Sequence, residues 1–108
     1  MLSDPLLVMA KLSRVFDRLG VEYLVGGSMA SATYGIYRPT QDVDFVANLR
    51  ARHARLLVAE LHEEFYVDEQ MILDAIRATA SFNVIHLPTM DKADIFVPEQ
   101  TAWAAEEM

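Results

Sequence analysis

Two short runs of this chain open by alternating charged and apolar side chains, and few folds accommodate that pattern. The first is Asp42-Val43-Asp44-Phe45, continued by Val46-Ala47; the second is Lys92-Ala93-Asp94-Ile95-Phe96. Successive side chains of a strand point to opposite faces. Asp42 and Asp44 therefore share one face, while Val43 and Phe45 share the other and belong to a core. Strands disfavour Asp, yet Asp94 sits between apolar neighbours in the same way. The chain must build a sheet with one dry face and one face bearing carboxylates.

The surrounding segments supply the layer that covers the dry face. Ser3 or Asp4 caps a helix with Pro5 in its first turn, and Gly20 ends it. Leu7, Val8, Leu12, Val15, Phe16 and Leu19 form its apolar stripe. A buried strand is expected over 21–25, a short helix over 29–34 between Ser28 and Gly35, and a strand over 42–47. A longer helix over 51–63 takes Leu56, Leu57, Val58, Ala59 and Leu61 as its apolar side. A short strand over 65–67, a helix over 69–78 and a hairpin of 82–87 with 92–97 follow, the turn lying at Pro88-Thr89-Met90-Asp91. The segment 101–108 begins another helix. The expected class is α/β (α+β), a small mixed sheet flanked by helices in one domain.

Composition narrows what such a domain does. The chain has 108 residues, 53% of them hydrophobic, which excludes disorder as its main state. Nine Lys and Arg against sixteen Asp and Glu give a formal charge of -7, a surface that repels a long phosphate backbone. A nucleotide site remains open, because a divalent cation reverses the local charge. The chain has no cysteine, hence no disulfide, no thiolate nucleophile and no thiolate zinc site. Without a signal-peptide pattern or a membrane-length apolar run, the expected location is the cytoplasm, with no membrane partner.

Gly26-Gly27-Ser28 after a strand, Asp42-Val43-Asp44 in a strand and Asp94 in a later strand form the chemical constellation. Taken singly, each has a plain reading: a turn, a solvated strand face, an exposed carboxylate. Together they carry more. Side-by-side carboxylates repel unless a cation offsets them. Glycines let backbone approach a phosphate closely, and a helix starting at Ser28 offers free N–H groups to it. Two magnesium ions about 3.5–4 Å apart, bridged by carboxylates and completed by nucleotide phosphates, answer both needs.

Val25-Gly26-Gly27-Ser28, the interval 29–41 and Asp42-Val43-Asp44-Phe45 resemble the signature of the DNA polymerase β-like nucleotidyltransferase superfamily, with Asp94 in Ala93-Asp94-Ile95-Phe96 as the third carboxylate. The fuller string Arg38-Pro39-Thr40-Gln41-Asp42-Val43-Asp44-Phe45 is similar to bacterial abortive-infection type toxin nucleotidyltransferases and related minimal members. The resemblance spans 21–97. It implies a polymerase β palm-like fold over 1–108, with the helical region that usually follows the catalytic sheet short or missing. It implies transfer of a nucleoside monophosphate from an NTP to a hydroxyl on tRNA, protein or a small molecule, in a toxin–antitoxin or phage-defence setting. Asp42 and Asp44 would bind two Mg²⁺ or Mn²⁺ ions, and Asp94 would bind the catalytic one and help take the acceptor proton. Gly26, Gly27 and Ser28 would hold the outer phosphates, with Arg38 and Thr40 near the triphosphate.

The rival function, of a different class, is a non-catalytic antitoxin-like or partner-binding module that keeps the fold; a homodimer or protein partner suits either. Loss of a carboxylate would favour it, and all three are present. Lys92 shares the face of Asp94 and reads as a strand-edge charge or a phosphate contact. Asp91 reads as a solvated turn residue, and His86 as a packed or edge histidine. His53 and His62 lack metal-ligand spacing. Tyr34, Tyr37 and Trp103 read first as packing.

Overall fold

The computed structural model describes residues 5–25 and 43–99. Helix α1 (Pro5–Leu19) turns Val8, Leu12, Val15 and Phe16 into the core, while Leu7 stays largely exposed. Its end is a Schellman motif: Gly20 adopts φ +74°, its N–H donates to Asp17 O, and Val21 N–H donates to Phe16 O. Strand β1 (Tyr23–Val25) follows, shorter than the expected 21–25 and exposed at Leu24 and Val25 instead of buried, because it is an edge strand; β2 (Val43–Ala47) lies beside it.

Helix α2 (Ala51–Leu61) buries His53, Ala54, Leu57 and Leu61. Leu56 and Ala59, expected on its apolar side, face outward, because helical geometry cannot bring residues 56–59 to one face. Strand β3 (Phe65–Tyr66) and helix α3 (Glu69–Ala78) come next. Asp68 caps α3 by accepting from Gln70 N–H at 3.3 Å. Strands β4 (Ser81–His86) and β5 (Asp91–Phe96) form the hairpin. Both strands begin one residue earlier than the sequence indicates, and His86 pairs with Asp91. The shift follows from Met90, whose φ of 63° closes the loop while its N–H donates to His86 O.

The sheet has the order β1-β2-β5-β4-β3. The β2–β5 pair is parallel and the other pairs are antiparallel. Among the described residues there are three helices, and the buried side chains gather into one cluster against one face of this sheet. Val43, Phe45 and Ala47 of β2 meet Ala93 and Ile95 of β5 and Phe82 and Val84 of β4 there. Phe16 of α1 packs edge-on to Phe45, centroids 5.4 Å apart, and Tyr23 closes the aromatic group. The architecture is a small mixed α+β sheet-and-helix fold, as the alternation requires. No described helix is long and apolar enough to cross a membrane.

The expected caps Ser3 and Asp4, the helices over 29–34 and 101–108, and Tyr34, Tyr37 and Trp103 lie outside the described residues.

Candidate active site

Of the residues singled out for chemistry, Asp44 and Asp94 are described; Gly26, Gly27, Ser28, Arg38, Thr40 and Asp42 lie outside the described residues. Asp44 and Asp94 are direct register partners across the parallel β2–β5 pair. Neighbouring strands run about 4.8 Å apart, so the two side chains rise from adjacent points of the sheet. Their neighbours Val43, Phe45, Ala93 and Ile95 are buried on the opposite face, so both carboxylates stand away from the core. The shared side expected of Asp44 and Asp94 is thus present, on the two inner strands of the parallel pair.

That face carries more than the sequence disclosed. Asn83 of β4 pairs with Asp94 from the other side, giving a row Asp44–Asp94–Asn83 across three strands. Only the β4–β5 register puts Asn83 there, and no local motif marks it. Lys92, two residues before Asp94 on β5, is exposed on the same face, as its spacing indicates.

Two carboxylates side by side are a hard oxygen donor pair, which fits Mg²⁺ or Mn²⁺ and suits a softer metal less. Among the described residues no group of three or more His, Cys, Asp or Glu side chains is arranged to hold a metal ion. The expected third donor, Asp42, is not among them.

The histidines serve packing and polar satisfaction. His86 is 2% exposed. Its Nε2 lies 3.1 Å from Glu64 Oε2 and its Nδ1 lies 2.8 Å from Thr89 Oγ1. Glu64 also meets Lys11 at 3.2 Å. The bond to His86, reinforced by Lys11 and opposed by partial burial, holds the Glu64 carboxyl below its ordinary range. His53 accepts a hydrogen bond from Arg50 N–H on Nδ1 at 2.9 Å. Burial, then the charges of Arg52 and Arg50, push its pKa below the ordinary value.

Asp91 departs from its sequence reading. It is wholly buried at the start of β5, not solvated in the turn. The cause is parity: residues 91, 93, 95 and 97 all fall on the core face once β5 begins at 91.

No protein-family model matches the chain, and no curated protein or solved structure matches it significantly.

Proposed function

We propose that this chain is a divalent-metal-dependent nucleotidyltransferase that moves a nucleoside monophosphate from an NTP to a hydroxyl acceptor. The supporting observation is the side-by-side register of Asp44 and Asp94 on the outward sheet face, at positions the superfamily resemblance marks as carboxylates. In the reaction the acceptor oxygen bonds to the α-phosphorus, the bond from that phosphorus to its bridging oxygen breaks, and pyrophosphate leaves. Asp94 would take the acceptor proton, and Asp44 and Asp94 together would hold the divalent cation beside the phosphates. Asp42 would complete the donor set, while Gly26, Gly27 and Ser28, with Arg38 and Thr40, would hold the triphosphate. Bound Mg²⁺ or Mn²⁺ supplies charge neutralisation at the phosphates. Such catalysis is mostly positioning and electrostatics, which two rigid strands provide.

The proposed setting is the cytoplasm, and the acceptor a hydroxyl of tRNA, a protein or a small molecule. The formal charge of -7 weighs against a long nucleic acid held by this chain alone. The test is thermal melting with each NTP, with and without Mg²⁺ or Mn²⁺. Ligand at about a hundred times its Kd adds about 2.7 kcal/mol, and metal-free NTP adds little. Asp44→Asn and Asp94→Asn should each reduce the shift, and Asp94→Asn should cut transfer of labelled NMP by about 10²–10⁴-fold. Absence of any shift with every NTP and both metals overturns the proposal.

A further inference from the structure

The outward face of β5 reads Lys92, Asp94, Phe96: a cation, a carboxylate and an aromatic ring at successive levels, about 6.6 Å apart. Each level continues across the sheet. Asp94 has Asp44 on one side and Asn83 on the other. Phe96 has Val46 of β2 on one side, backed by Leu24 of β1, and Ser81 of β4 on the other. Phe96 is 42% exposed and Leu24 53% exposed, so a large apolar step stands in water one level beyond the carboxylates. Ser81 is too small to shield the ring on the β4 side. Toward Lys92, the exposed apolar side chains among the described residues are Tyr66, two strands from β5 at the level of Lys92, and Leu87 and Met90 in the hairpin loop beyond it.

We infer that an NTP lies along β5, its polyphosphate toward Lys92, its α-phosphate at Asp44 and Asp94, and its base on the Phe96–Val46–Leu24 step. This rests on the nucleotidyltransferase reading and adds to it a base subsite and a direction. The order of charge along the strand matches the order of groups in the ligand. A triphosphate is anionic and meets the cation; the metal-binding carboxylates meet the phosphate that reacts; the flat aromatic base meets the aromatic ring. The reverse pose would lay the base beside the Lys92 ammonium and the terminal phosphate on exposed hydrocarbon. Because stacking is tolerant of base identity, this subsite binds all four bases with modest differences.

The experiment is calorimetric titration of the parent, Phe96→Ser, Phe96→Tyr and Lys92→Ala with the Mg²⁺ complexes of the four common NTPs and of inorganic tripolyphosphate. Phe96→Ser should weaken NTP binding at least about fivefold, the lower end of what base stacking contributes, and leave tripolyphosphate unchanged. Phe96→Tyr keeps the ring and should bind like the parent. Lys92→Ala should weaken both ligands. Equal loss of both ligands in Phe96→Ser, with a lowered melting temperature, makes Phe96 a packing residue and overturns the subsite. Unchanged NTP binding in Phe96→Ser overturns it as well. A parent that binds no Mg²⁺–NTP removes the nucleotidyltransferase reading itself, whereas a parent that binds NTP and tripolyphosphate equally keeps that reading and removes the base subsite.

Discussion

His86 and His53 illustrate how one ring nitrogen decides a residue's job. A carboxylate only accepts, so Nε2 of His86 donates to Glu64, while Nδ1 shares a hydrogen bond with the Thr89 hydroxyl. Both nitrogens are occupied by structural bonds that tie the end of α2 to the β4–β5 loop. Glu64→Ala leaves a buried N–H without its acceptor and should cost about 1 kcal/mol, read as a lowered denaturant midpoint at pH 7. The same bonds shape acid stability. Glu64 has a depressed pKa when folded, so its contribution is present above its ordinary value of 4.5 and is lost as pH falls through the folded value. His53 is depressed from 6.5, so the unfolded chain takes up its proton first as pH falls. Its contribution is full above 6.5 and declines below it. His53→Gln, whose carbonyl oxygen can still accept from Arg50 N–H, should therefore show a shallower loss of stability between pH 6.5 and the folded value than the parent. An identical slope would mean that His53 does not carry it.

At the scale of elements, two helix ends use the same left-handed geometry with different residues. Gly20 ends α1 at φ +74°, a conformation that costs a side chain about 1 kcal/mol, and a Cβ built there meets nothing within 4 Å. Gly20→Ala should lose about that much through backbone strain alone. Thr79 ends α3 at φ 49°, and Ala80 N–H donates to Ala75 O as a left-handed cap requires. A β-branched residue is a poor occupant of that region, and Thr79 is exposed, so no packing is lost on removing it. Thr79→Gly should stabilise the protein by about 1 kcal/mol, a rise of about 4 °C in Tm. The bounds of α3 match the 69–78 indicated by the sequence, although Thr79 is not a residue that marks a left-handed stop. Those of the hairpin were shifted by one residue, because Met90 gives no sequence sign that it will adopt φ 63°.

At the scale of the molecule, the core packs on one sheet face and the other carries Asp44, Asp94 and Lys92 beside the Phe96–Val46–Leu24 step. Phe16 fixes this arrangement, joining α1 to β1 through Tyr23 and to β2 through Phe45. Removing its ring should cost about 3–5 kcal/mol, a large part of the 5–15 kcal/mol that holds an ordinary domain. Phe16→Ala should accordingly unfold at much lower denaturant, and a loss below about 1 kcal/mol would show that the aromatic group is not the keystone of the core.

The alternation at 42–47 and 92–97 by itself determined that Asp44 and Asp94 stand opposite a dry face, because side-chain parity is a property of the strand alone. Helical spacing likewise determined the buried stripe of α1, but for Leu7. It could not choose among Leu56 to Ala59 in α2, since all are apolar and only the packed neighbours say which side is inside. Burial of Asp91 needed the strand to begin one residue earlier than the turn chemistry suggested. The pairing of Asp44 with Asp94, and of Asp94 with Asn83, was decided by tertiary structure. The two carboxylates are far apart along the chain, and β2 meets β5 only after α2, β3, α3 and β4 have intervened. Parity says which way a side chain points; which side chain stands beside it is set by the register of strands that no local interaction joins.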